Sequence, residues 1–368
     1  MAGGPHGQSR GGRQSGGAVG LSQLRSGGAA AVANTLRRAL GALWLADALV
    51  KILIPFGGRA ADQAYEQLMM AMTGPPGMHR LLAWETNLFA AHPLLWWLPA
   101  AVELCIGLWL VTRPASRPAL AAAACWALVV WVVGEGLGGL TAGVASVLTG
   151  YPGAALLYAL AAVVLFPGRR PRQDTTTAAE AGAIGWWSRV AWLALWIGAA
   201  FYTALPQTGE GGLVFMLFTN ESEAPGPLRS MDASELSWLT IGHTTLIGIT
   251  VAIACLAAGF GVFLGAGFGV FLGALPRLFL SLSVLIALTG WVAMQNFGGI
   301  LTGSATDVGT GPVLIVLALA FWPVGVRAHS VPRGQHGADA PSPPAAAECE
   351  TQPVAGVTRP ADPRYNGS

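Results

Sequence analysis

The chain has 368 residues, of which 53% are hydrophobic and only 10% charged, against about 25% charged in an ordinary soluble domain. That composition excludes a soluble globular protein and marks an integral membrane protein. With a net charge of +2 the chain gives no reason to expect a nucleic-acid partner, and its expected partner is the lipid bilayer.

Residues 1–35 are rich in Gly, Ser, Gln and Arg. Such a segment cannot bury enough apolar surface to fold alone, so a disordered cytoplasmic tail is expected. No apolar stretch with a small-residue cleavage site precedes the first span, so no cleaved signal peptide is expected. Stretches long enough to span, about 17 to 25 residues each, then fall at 36–56, 93–112, 118–136, 150–167, 186–206, 238–263, 272–296 and 311–326. The fourth and eighth are short unless the Gly-rich phrase before each contributes.

The expected fold is therefore all-α, a polytopic transmembrane helix bundle of about eight spans. It divides into a first four-helix membrane repeat at 36–167, a cytoplasmic Arg-rich linker at 168–185, a second repeat at 186–326 and a disordered cytoplasmic tail at 327–368. Amphipathic helices are expected on the outer surface. Tyr65, Leu68, Met69 and Met72 follow helical spacing, as do Leu81, Trp84 and Leu88 after the break TGPPG. The run LVFMLF at 213–218, the break APGP and a stretch ending at Trp238 repeat that layout. A cap over a polar cavity and a cap that only packs on loops both remain open. A tandem octapeptide, GFGVFLGA, at 259–266 and 267–274 reads as a local duplication at a helix end.

The internal repeat rests on one phrase. WVVGEGLGGLTAGVASVLTGYPG at 131–153 aligns without a gap on WVAMQNFGGILTGSATDVGTGPV at 291–313, shifted by 160 positions. That alignment pairs Glu135 with Gln295, Ser146 with Thr306, Pro152 with Pro312, and Gly138, Gly139 and Gly143 with Gly298, Gly299 and Gly303. A period this long means two copies of a domain-sized unit. The phrase reads either as loop geometry that each unit needs or as an outer rim lining a ligand entrance. The rim candidates are His243, Gln295, Asn296, Thr306 and Asp307, with Glu135 in the first copy.

Arginines support the orientation. Arg37 and Arg38 stand at the start of the first span, Arg113 and Arg117 lie between the second and third, and Arg169, Arg170 and Arg172 between the fourth and fifth. Arg277 follows the sixth and Arg327 the eighth, while the alternate loops carry mostly Asp and Glu. By the positive-inside rule both termini are cytoplasmic, in a bacterial plasma membrane, and the two halves run in the same sense.

Ionisable residues within the spans are the functional signal, because a charge at mid-bilayer costs roughly 2.5 to 3.5 kcal/mol and must find a partner. Asp47 and Lys51, the only lysine, lie four apart on the first span, as suits an intrahelical pair. Glu103 falls at a similar depth in the second span, and Glu135 near the outer end of the third. The set reads either as a buried ion pair fixing helix register or as a proton-active or ligand-binding site with acid in excess of its one ammonium. Cys105, Cys125 and Cys255 sit singly, with no metal-ligand spacing, so no metal is expected. No phosphate loop, nucleophile elbow or zinc-protease signature occurs.

The stretch LRRALGALWLADALVKILIPFGG resembles the opening helix of DoxX-type membrane proteins, with Lys51 at the family's lysine and Asp47 or Ala48 where a glycine is usual. AVELCIGLWLVTRPASRPALAAA resembles its Glu-x-x-x-Gly second helix, basic turn and Ala-rich third helix, with Glu103, Gly107 and Arg113 in matching places. The resemblance covers about 36–167; the second half lacks the lysine and glutamate and shares only the layout. Its Arg-over-Lys, Ala/Gly-rich composition is consistent with a duplicated actinobacterial relative. DoxX and DoxD proteins are four-helix membrane proteins tied to quinone-linked sulfur oxidation or to thiol and oxidative-stress complexes. The resemblance implies an accessory subunit of a quinone- or thiol-linked redox system, with Lys51, Glu103 and Asp47 placing or protonating a quinone headgroup. No haem, flavin or iron–sulfur ligand pattern accompanies it, so electrons come from a redox partner protein. The alternatives are a small-solute transporter or channel, against which the halves show no broken spans at mid-depth, and a non-catalytic membrane scaffold.

Overall fold

The computed structural model describes residues 16–53, 75–140, 145–168, 175–205, 214, 217, 225–238, 243–264, 274–301 and 305–324. These are helical throughout, apart from turns and one isolated bridge between Pro167 and Gly182. In chain order the helices are α1 (Gly16–Leu53), α2 (Pro76–Ala91), α3 (Trp97–Thr112), α4 (Arg117–Val129), α5 (Ala154–Val164), α6 (Ala178–Ala181) and α7 (Trp187–Ala204), then α8 (Gly226–Trp238), α9 (Thr244–Leu264), α10 (Leu275–Thr289) and α11 (Thr310–Ala320). Among the described residues, three helical stretches are long and apolar enough to cross a membrane: Arg117–Gly134, Thr244–Leu264 and Leu275–Met294.

Helix α1 begins at Gly16, about twenty residues before the expected first span and inside the segment expected to be disordered. The sequence GGAAAVANTLRRAL carries good helix formers, and tertiary packing completes the helix: Ala29 and Ala33 are buried, and a methyl on Gly28 would meet Val324 at 3.2 Å. The expected linker is also packed where it is described. Thr177 caps α6, Ala183 N donates to the Phe166 carbonyl at 2.7 Å, and Glu180 pairs with Arg189. The linker residues 169–174, the outer residues Tyr65 to Met72 and the tail 327–368 lie outside the described residues, as do residues 265–273 of the tandem octapeptide.

Packing pairs α1 with α3, α4 with α5, α7 with α9, and α10 with α11. Helix α5 lies against α11, and α1 packs on α11 as well as on α5. Small residues set the closest approach of α1 and α3: a methyl on Gly41 would stand 2.8 Å from Leu110 Cβ, and one on Gly107 2.7 Å from Leu45.

The phrase written twice has the same local conformation at both places. Val130–Gly134 and Gly290–Met294 are π-helical turns continuing α4 and α10. Each is followed by four residues at positive φ: 54°, 65°, 61° and 72° for Gly136, Leu137, Gly138 and Gly139, and 44°, 59°, 70° and 74° for Asn296, Phe297, Gly298 and Gly299. In both, a tryptophan indole closes the loop onto the backbone before the next helix, Trp131 Nε1 to the Pro152 carbonyl at 2.8 Å and Trp291 Nε1 to the Val308 carbonyl at 2.7 Å. The gapless correspondence therefore stops after Gly139 and Gly299. Beyond it the conformational match is Gly153 with Gly309, each at positive φ immediately before a helix, and not Pro152 with Pro312. Backbone geometry at the helix entry, rather than residue identity, fixes that register.

These loops lead into helices of half length. At 11 residues, α5 and α11 rise only about 16 Å, roughly half of a bilayer's hydrocarbon core of about 30 Å. The stretches expected as the fourth and eighth spans are thus each a turned loop followed by a short helix rather than one unbroken helix. A strongly turned, Gly-rich backbone precedes each short helix, and hydropathy does not distinguish it from apolar helix. Helices α2 and α8 lie over the two loops. A methyl on Gly136 would meet Leu82 of α2 at 3.1 Å, while Asn296 donates to Asp232 of α8 at 3.1 Å.

Candidate functional site

Leu36, Leu40, Trp44 and Ala48 form the buried stripe of α1, and Asp47 and Lys51 share its flank facing α3 and the second Gly-rich loop. On α3 the buried positions are Ala100, Glu103, Ile106, Gly107 and Leu110. Because glycines draw the two helices together, Lys51 Nζ reaches Glu103 Oε2 at 2.7 Å, with Glu103 only 1% exposed. The lysine head is barely open, with 12% of its side chain exposed.

Asp47 does not form the expected intrahelical pair with Lys51. Its Oδ1 accepts the Val308 backbone N–H at 2.8 Å, a contact between residues 261 positions apart. A side chain on a helix leans toward the helix N-terminus, and the loop amide of Val308 is a donor that would otherwise be buried unpaired. The lysine, longer and one turn further on, is left to Glu103.

Asp307 joins this set. Its Oδ1 accepts Gly309 N at 2.6 Å at the entry to α11, and Thr306 Oγ1 donates to its Oδ2 at 3.3 Å. It lies within electrostatic range of Asp47, Lys51, Glu103 and Glu135. Glu135 plays the corresponding part at α5, where its Oε1 accepts Ala155 N at 2.9 Å, a carboxylate against a helix N-terminus. Gln295 does the same for α11, accepting from the Thr310 hydroxyl at 3.1 Å, and donates across to the Leu148 carbonyl at 3.3 Å.

The remaining rim residues are elsewhere. Asn296 is bonded to Asp232 beneath α8, and His243 stacks on Trp238 with ring centroids 4.5 Å apart, its Nδ1 2.9 Å from the Trp238 carbonyl. Neither is hydrogen-bonded to the acidic cluster. Two residues not singled out from the sequence complete it. Tyr158 of α5 is 2% exposed, packs its ring at a tilt against Trp44 with centroids 4.3 Å apart, and faces Asp47 without closing a hydrogen bond; Trp126 of α4 faces Glu103 in the same way. A tyrosine and a tryptophan in apolar helices read as packing, so only their placement shows a polar role.

The second half carries a neutral counterpart of the α1 contact. Thr203 of α7 accepts from Val147 N at 3.2 Å and shares a hydrogen bond with Ser146 at 3.2 Å. Each loop is thus held by the leading helix of the other half: Val308 by α1, and Val147 by α7.

No family model matches the chain, and neither a curated protein nor a solved structure matches it.

Proposed function

We propose that this is a multi-pass plasma-membrane protein of eight spans, built as two parallel four-helix repeats with both termini cytoplasmic. In this reading it is a DoxX-like accessory subunit of a quinone- or thiol-linked redox system. The repeated loop conformation, the reciprocal contacts of α1 and α7 and the alternating arginines support that architecture. The half-length α5 and α11, completed by the loops before them, account for the fourth and eighth spans.

One observation carries the function: a lysine–glutamate pair sealed between two membrane helices, ringed by buried donors that have no hydrogen-bond partner. The Tyr158 hydroxyl and the Trp126 indole N–H are such donors. A buried polar group left unpaired costs about 1–3 kcal/mol, which a bound acceptor removes. A quinone headgroup fits this set, since it presents carbonyl acceptors and carries electrons together with protons. Lys51 and Tyr158 donate to its carbonyls, while Glu103 orients Lys51 and Asp47 holds the loop. Ile52, Leu53 and Leu104 are exposed beside the pair and give an isoprenoid tail a lipid-facing path. The test is extraction of lipid from the purified protein. Wild type carries menaquinone, and Lys51→Ala and Glu103→Gln lose most of it; a folded wild type without quinone ends this reading.

The broken fourth and eighth spans favour a second reading, a small-solute transporter. Half-helix entries flanked by acids at depth are a recurrent substrate site in transporters. Solute uptake by quinone-free proteoliposomes is the outcome that selects it.

A further inference from the structure

We infer that a proton path through Asp307, Tyr158 and Asp47 joins the outer Gly-rich loops to the Lys51–Glu103 pair, so that H⁺ is itself a ligand of this site. This deepens the redox reading, in which a reduced headgroup must take up protons, but its test requires no quinone.

Three observations carry it. Acids form a continuous series from loop to helix pair. Asp307 stands half-buried on the loop, the next residue Val308 is bonded to Asp47, and Asp47 lies one turn from Lys51, which holds Glu103 at 2.7 Å. The Tyr158 hydroxyl is buried beside Asp47 without closing a hydrogen bond, and Asp307 and Glu103 are the further charges acting on it. A hydroxyl can accept a proton at oxygen while releasing its own. Finally, the charges do not balance. Asp47, Glu103, Asp307 and Glu135 surround one ammonium, and among the described residues no arginine or histidine acts on them. Carboxyls in excess of their cations at this depth hold exchangeable protons.

Each transfer is balanced. Asp307 takes a proton from outer water, passes it to the Tyr158 oxygen as that hydroxyl releases its own to Asp47, and returns to the carboxylate. Asp47 then passes the proton to the carboxylate of Glu103, or to a headgroup held by Lys51. Glu135 stays bonded to α5 and contributes field rather than a step.

The test is infrared spectroscopy of the full-length protein in liposomes, following the carboxylic C=O band after a switch to D₂O. Asp307→Asn keeps an acceptor for Gly309 N, and Tyr158→Phe keeps the ring against Trp44. Both should slow exchange of the Asp47 and Glu103 bands by about tenfold or more, while Thr250→Val, on the exposed face of α9, leaves it unchanged. Wild-type exchange rates in folded Asp307→Asn and Tyr158→Phe overturn the path. Intact exchange in a protein that binds no menaquinone overturns only the quinone reading, and lost exchange control with retained menaquinone overturns only the path.

Discussion

Lys51 shows how one residue's value depends on its partner. Helix α1 could carry a lysine near its end cheaply if the head reached lipid headgroups; instead the ammonium is held by a carboxylate that is 1% exposed. Removing one member of a buried pair costs about 3–5 kcal/mol, and replacing both with apolar residues costs far less. Lys51→Met should therefore lower the unfolding midpoint in detergent markedly, and Lys51→Met with Glu103→Leu should recover most of the loss. Thermal melts of the three proteins check this; a double variant as unstable as the single one means that the pair is not buried as described. Asp47 behaves differently, because its partner is a backbone amide, and the same length of side chain on Asn supplies an acceptor.

At the scale of elements, the left-handed turns after α4 and α10 are the unusual feature. Each non-glycine residue in that region costs about 1–2 kcal/mol, yet Leu137, Asn296 and Phe297 adopt it. Their neighbours explain the tolerance: indole and backbone bonds close the same turn in both places. Adjacent glycines of the first turn, Gly138 and Gly139, differ in what surrounds them. A methyl on Gly138 would lie 2.1 Å from the Pro152 carbonyl oxygen, whereas one on Gly139 meets nothing within 4 Å. Gly139→Ala should cost about 1–2 kcal/mol from backbone conformation alone, and Gly138→Ala distinctly more, because Pro152 and the entry to α5 must move. Equal losses of stability in chemical denaturation would remove the close approach as the reason for glycine. Outside the membrane spans, burial in α2 and α8 pushes the carboxyls of Glu85 and Glu235 up to about 7 from 4.5, with Asp232 adding to the effect at Glu235. The folded state then binds more protons than the unfolded state between pH 4.5 and 7, so its stability falls as pH rises across that window. Amides of α2 should exchange more slowly at pH 5 than at pH 7.5 after correction for intrinsic rates, and Glu85→Gln should flatten the difference.

At the scale of the whole molecule, the two halves interlock. Helix α1 holds the second loop through Asp47 and Val308, and α7 holds the first through Thr203 and Val147. The acidic set occurs at one of these contacts and hydroxyls at the other, so a charged site is paired with a neutral one. In the orientation proposed from the arginine pattern, the turn between α3 and α4 lies on the cytoplasmic side and α8 outside. In a protein stripped of its native cysteines, a membrane-impermeant maleimide should label Ser230→Cys in intact cells and Ser116→Cys only after permeabilisation. Labelling of Ser116→Cys in intact cells reverses the proposed orientation.

Composition and hydropathy by themselves determined that the chain is helical and apolar enough to associate with a membrane, and that the lone lysine, Glu103 and Asp47 need buried company. They also exposed the recurring phrase, because identity at a fixed offset survives in sequence whatever the fold. What each acid bonds to was decided only by tertiary structure. The same holds for α1 starting at Gly16, for α5 and α11 being only 11 residues long, and for Asp307, Tyr158 and Trp126 meeting the lysine's surroundings. Hydropathy and helical periodicity report local burial, one face of one segment at a time. A bond from Asp47 to an amide 261 residues away depends on how helices pack and how a Gly-rich loop turns, and nothing local encodes that.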